Sequence, residues 1–176
     1  MARKVELLLE LTECGMSLLW VRRRWFNRSP QLNVDYAWLS VSQGQSWEVV
    51  LKDYLLRERV HAAKRLSIPT SVLLPMTKAF VREFQVPPFS RQKLRQIVKY
   101  LIDEEVPLPK NDLIYDFGEC SIGRVVIGAV RRSQLAYIID VLHQLGLNVV
   151  SVDFTALRIA SLLSLGPDDT AFFFEL

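Results

Sequence analysis

Nucleophilic catalysis needs a base within hydrogen-bond reach of the nucleophile, and histidine is the usual base. The sequence has two, His61 and His143. The apolar spacing around each places it on the body of a helix, away from the loops where catalytic groups collect, so both read as solvated or half-buried helix residues. Zinc ligation requires Cys or His at short spacings, and Cys14 and Cys120 lie far apart with no CxxC pairing. No GxxxxGK[ST], GxGxxG or GxSxG motif occurs. The sequence therefore assigns no catalytic residue, no cofactor and no metal ligand.

Two charge runs remain. Asp103, Glu104 and Glu105 sit at the C-terminal end of a helix, where acids oppose the helix dipole. A carboxylate dyad for acid–base work is one reading. Adjacent helix residues diverge, which favours a solvated or partner-facing patch continuing through Pro107, Leu108 and Pro109. The second run is Arg22, Arg23, Arg24, Trp25, Phe26, Asn27 and Arg28. It reads as a polar hairpin tip with its aromatics folded onto a sheet. Alternatives are a stacking surface for single-stranded nucleic acid, a contact with anionic lipid headgroups, or a protein-docking surface rich in the residue types of interface hot spots.

Elements that position these residues follow from hydrophobic periodicity. Val5, Leu7, Leu9 and Leu11 alternate with Glu6 and Glu10, predicting a half-buried strand. Cys14-Gly15 predicts a turn, and strands at 16–22 and 34–41 complete a meander. Trp47, Val50, Leu51, Tyr54 and Leu55 form one helical stripe with Ser46 as its N-cap. Strands are expected at 70–74 and 78–86, the latter ended by Pro87-Pro88. A helix capped by Ser90 carries Leu94, Ile97, Val98, Leu101 and Ile102, and Pro107 and Pro109 stop it. Strands at 112–117 and 124–130 precede a helix with Ser133 as cap, Leu135, Ile138, Ile139 and Leu142 as stripe, and Gly146 just past its end. A strand at 148–153, a buried helix from Thr155 and a strand at 171–174 close the chain. Strands alternating with helices define an α/β protein.

Composition sets the outer bounds. Half of the 176 residues are apolar and 23% are charged, which excludes the intrinsically disordered class. A net charge of +3 does not by itself imply nucleic acid. The two cysteines read as free buried thiols of a reducing compartment. Glu6 and Glu10 interrupt the N-terminal apolar run, so it is not a signal peptide. The longest uncharged windows are 12 residues, too short to cross a bilayer. The chain is expected to be soluble, and an anchor beyond Leu176 stays open.

The stretches LRQIVKYLIDEEVPLPKNDLIYDF, 94–117, and VVIGAVRRSQLAYIIDVLHQLGLNVVSVDFTALRIASLL, 125–163, resemble the PilM and GspL families. These are cytoplasmic platform proteins of type IV pilus and type II secretion machines. Glu104, Glu105, Pro107, Pro109, Tyr115 and Asp116 hold the first segment's pattern, and Gly146, Leu147 and Asp153 hold the second's. The resemblance implies an actin-like (ribonuclease-H-like) α/β subdomain with an inserted small β-α-β-β module. It assigns 1–77 and 146–176 to the core and 78–145 to the module. Family members that bind ATP carry Asp-x-Gly in the first hairpin; here Glu10, Leu11 and Thr12 stand there, with a bulky residue at the glycine position.

The function expected from the resemblance is a non-enzymatic scaffold at the cytoplasmic face of the bacterial inner membrane. It would dock the assembly ATPase and a bitopic inner-membrane partner, with no cofactor and no nucleic acid, and self-association is left open. The contact residues expected are Arg22, Arg23, Arg24, Trp25, Phe26, Glu104, Glu105, Pro107, Leu108 and Pro109. The alternatives are a fragment of an actin-like ATP-binding protein and a nucleic-acid-binding module using the basic aromatic run.

Overall fold

The computed structural model describes residues 4–26, 29–58, 68–88, 91–121 and 123–155 of the chain. Among these residues eight strands and three α-helices follow in the order β1 (Lys4–Leu11), β2 (Gly15–Phe26), β3 (Ser29–Ser40), α1 (Trp47–Arg57), β4 (Ile68–Leu74), β5 (Phe80–Gln85), α2 (Arg91–Glu105), β6 (Leu113–Ser121), β7 (Arg124–Arg131), α3 (Arg132–Gln144) and β8 (Leu147–Phe154). The chain divides into two units, 1–75 with 138–155, and 76–137. The division falls within α3. Cys120, His61, Ser90, the helix expected from Thr155 and the strand expected at 171–174 lie outside the described residues or side chains.

The first unit holds a five-stranded sheet in the order β3-β2-β1-β4-β8. β1, β2 and β3 form an antiparallel meander, while β4 pairs parallel with both β1 and β8. Register decides the faces. Leu7, Leu9 and Leu11 lie opposite Trp20, Leu18 and Met16, and Leu9 lies opposite Val72. All seven are buried to 4% exposure or less, so this face is the core. Burying a side chain of this size stabilises by about 1.5–3 kcal/mol. Leu8, Leu19 and the two glutamates of β1 occupy the other face, half-buried. α1 sinks Leu51 and Leu55, one turn apart, and α3 sinks Ile138 and Leu142 with the same spacing.

The second unit is a three-stranded antiparallel sheet in the order β5-β7-β6, with α2 on one face. Alternate residues of the middle strand, Val125, Ile127 and Ala129, meet Leu94, Val98 and Ile102 of α2 in one core. Val86, Val106 and Leu113 close its ends, and Phe80, Phe84, Ile97 and Leu101 pack around it.

Ser46 occupies the N-cap of α1 as expected, although its hydroxyl makes no capping bond. Two local expectations are corrected. Ser133 lies inside the first turn of α3, and the missing acceptor comes from Asp112, which takes hydrogen bonds from the Ser133 backbone N–H at 2.8 Å and hydroxyl at 2.6 Å. Cys14 is exposed, because it sits on the tight turn between β1 and β2, where the Thr12 N–H and hydroxyl both donate to the Gly15 carbonyl. Gly146 does end α3 with a left-handed φ of 80°, its N–H donating to the His143 carbonyl at 2.9 Å.

Candidate interaction surfaces

The acidic end of α2 is tied down by side chains from two other places. Glu105 accepts from Arg82 of β5 at 2.9 Å, and the Arg82 guanidinium also lies over the Phe84 ring, 5.2 Å from its centroid. Arg82 shares the core-facing side of β5 with Phe80 and Phe84, which aims it across the sheet toward the helix end. Asp103 meets Lys110 at 3.5 Å. Each pair is solvent-exposed and contributes about 0–1 kcal/mol, but both place a cation where the helix dipole needs one. Glu104 faces solvent. The chain then turns: the Val106 N–H donates to the Ile102 carbonyl and the Asp112 N–H to the Pro109 carbonyl. Pro107 and Pro109 are exposed, whereas Leu108 is half-buried against the core of the unit. The corner presents a carboxylate and two rigid prolines to solvent, anchored by a leucine beneath them.

Arg22 to Phe26 of the basic run lie on strand at the far end of the β2–β3 pairing, where Phe26 stands opposite Ser29, and Asn27 and Arg28 lie outside the described residues. β2 continues to Phe26, and Arg22, Arg23, Arg24, Trp25 and Phe26 pair with Asn33, Leu32, Gln31, Pro30 and Ser29 of β3. The Arg22 guanidinium reaches Asp35 at 3.0 Å across the ladder, which offsets the charge that would otherwise break the strand. The side chains of Arg23, Arg24, Trp25 and Phe26 lie outside those described. The run and the 104–109 corner belong to different units.

β3 carries a surface the sequence reading missed. Ala37 and Leu39 lie opposite Leu18 and Met16 on the core face, so Leu32, Val34, Tyr36 and Trp38 fall on the other one. They are 59%, 49%, 64% and 45% exposed. Four alternating apolar residues on the outer strand of a sheet form a patch of the kind that marks an interaction site. The signal was the period-2 pattern itself, which shows which residues share a face but not which face meets the core.

Two further features bear on chemistry. A shallow groove of about 330 Å³ is lined by Lys93, Gln96, Ile97 and Tyr100 on α2. Among the described residues no group of three or more His, Cys, Asp or Glu could hold a metal ion, and no helix is long and apolar enough to cross a membrane.

No family model and no curated protein matches the sequence. Solved structures do match the fold. A chain of the PilM-PilN type IV pilus biogenesis complex aligns with a TM-score of 0.63 at 20% identity, over 90% of this chain and 49% of that one. The cytoplasmic domain of EpsL, an inner membrane component of the type II secretion system of Vibrio cholerae, aligns with a TM-score of 0.57 at 15% identity, over 87% of this chain and 57% of that one. This chain thus spans about half the length of either. Its mixed α/β fold is that of proteins from a type IV pilus and a type II secretion system, in agreement with the resemblance carried by segments 94–117 and 125–163.

Proposed function

We propose that the chain is a non-enzymatic scaffold domain on the cytoplasmic face of the bacterial inner membrane. It docks the assembly ATPase and a bitopic inner-membrane partner of a type IV pilus or type II secretion platform. The observation that carries this reading is the likeness in fold to the EpsL cytoplasmic domain and to a chain of the PilM-PilN complex across nearly the whole of the described chain. In this reading the flanks 1–77 and 146–176 make an actin-like core, and 78–145 is a small β-α-β-β module set into it. Its support is the strand order: β4 and β8 are neighbours in one sheet, while the strands between them in sequence pair in another.

Docking requires complementary surface and no bond chemistry. The corner of Glu104, Glu105, Pro107, Leu108 and Pro109 offers a rigid, acidic contact whose backbone is fixed before a partner arrives, which lowers the ordering cost of binding. The β2 segment from Arg22 to Phe26 offers the arginine and tryptophan types that dominate hot spots.

The test is binding of the purified chain to the N-terminal domain of the assembly ATPase and to the cytoplasmic segment of the bitopic partner from the same genome. Saturable binding to at least one, weakened by Glu104→Lys with the fold retained, is expected. Saturable binding to neither contradicts the proposal. A companion thermal melt with Mg-ATP is expected to show no shift. Stabilisation that grows with ligand concentration would instead favour a fragment of an actin-like ATP-binding protein.

A further inference from the structure

Among the described residues, β3 and β8 are the two outer strands of the five-stranded sheet. Outer strands expose unpaired N–H and C=O groups, and proteins that stay monomeric blunt them with lysine, proline, bulges or short length. β8 has such a device: its register against β4 shifts between Thr70 and Ser71, leaving Val150 as the extra residue. β3 has none in its body. It runs 12 residues with unbroken register against β2, contains no lysine, and carries its only proline, Pro30, at the second position.

Hydrogen-bond phase shows what this edge offers. The Val41 N–H donates to the Cys14 carbonyl at 2.9 Å, so these two residues form a hydrogen-bonded pair. An antiparallel ladder alternates, which turns the amides of Asn33, Asp35, Ala37 and Leu39 toward β2. Those of Leu32, Val34, Tyr36, Trp38 and Ser40 point outward. The residues with free backbone groups are therefore also those whose apolar side chains are exposed.

We propose that this edge is the seat of a second copy of the chain. Two β3 strands pair antiparallel about a two-fold axis at Tyr36, joining two five-stranded sheets into one. Charge argues for a copy of itself. Asp35 is the only charged residue between Leu32 and Ser40, and its carboxylate is held by Arg22, so an acidic or basic segment gains little here while two copies meet without repulsion. In this register Tyr36 faces Tyr36 of the second copy, Val34 faces its Trp38, and Asp35 faces its Ala37. Centring on Val34 would set Trp38 opposite Pro30, which has no N–H, and centring on Trp38 would run past the end of the strand. The contact is isologous and closes as a dimer. Self-pairing of β3 stands apart from the platform role, and either can fail alone.

Sedimentation equilibrium of the full chain tests it. The weight-average mass is expected to rise from 20.3 kDa toward twice that value with concentration. Tyr36→Lys is expected to hold the chain at the monomer mass while leaving its circular dichroism and thermal melt unchanged. Amide exchange read at low and high concentration locates the contact independently of any variant. Leu32, Val34, Tyr36 and Trp38 should slow at least tenfold at high concentration, while Asn33, Asp35 and Ala37, already bonded to β2, should change little. A monomer at every concentration overturns the proposal. A dimer indifferent to Tyr36→Lys, or one that leaves those four amides fast, overturns it as well.

Discussion

Asp112 does for α3 what a cap residue usually does from within the helix. Its carboxylate accepts from the Ser133 hydroxyl and then from the Ser133 N–H, and these two hydrogen bonds hold its pKa below the ordinary carboxylate value. The folded state consequently binds fewer protons at this site than the unfolded state, so stability rises with pH. The contribution is present above the unfolded pKa and is lost as pH falls through the lower, folded one. Asp112→Asn should destabilise the protein at neutral pH, and the gap between wild type and variant in urea midpoint should narrow as the pH falls from about 5 to below the ordinary aspartate value of 3.8. A gap that stays constant over that interval contradicts the assignment. Gly15 has an equally local task. A Cβ there would run into the Leu39 carbonyl oxygen and come within 2.8 Å of the Trp38 ring, so glycine lets β3 and its tryptophan close over the end of β2. Gly15→Ala should cost about 1–3 kcal/mol in denaturant unfolding, as overpacking does.

The helices were legible because their apolar residues recur every three or four positions. Leu94, Val98 and Ile102 were expected on one stripe and are 3%, 0% and 4% exposed. Ile102→Ala should cost about 2–5 kcal/mol, measured as a shift in urea midpoint at constant m-value. Strand lengths were less legible. The run from Arg22 reads as a hairpin tip when charge is taken alone, but β3 supplies Asp35 diagonally across from Arg22 and a ladder that carries β2 four residues beyond it. The outward face of β3 was hidden for a related reason: side chains alternate with period 2, so either set could have faced the core, and only the pairing with β2 decides. The cap at Ser46 was placed correctly, though its hydroxyl makes no bond, whereas Ser133 falls two residues past the N-cap position of α3 and bonds to Asp112 from 21 positions earlier in the chain. Of the candidate contacts, the 104–109 corner was readable from its prolines and acids. The anchoring of Glu105 by Arg82 was not, because it joins separate elements.

The first unit is held together in part by two strands far apart in sequence. β4 and β8 pair in parallel although residues 76–137 of the second unit lie between them in sequence, and Ser151 donates to Ser71 across that pairing at 2.9 Å. Parallel strands need a long crossover, and here the crossover contains a sheet of its own. The proposed division into a core formed by the two flanks and a module set between them rests on this arrangement. Replacing Ser71 and Ser151 with cysteine, in a background where Cys14 and Cys120 are serine, tests it directly by quantitative disulfide mapping after mild oxidation. An intramolecular 71–151 disulfide forming in the folded chain, and lost when the chain is oxidised in denaturant, is the expected result. Two reactive thiols that never join in the folded chain would contradict the account.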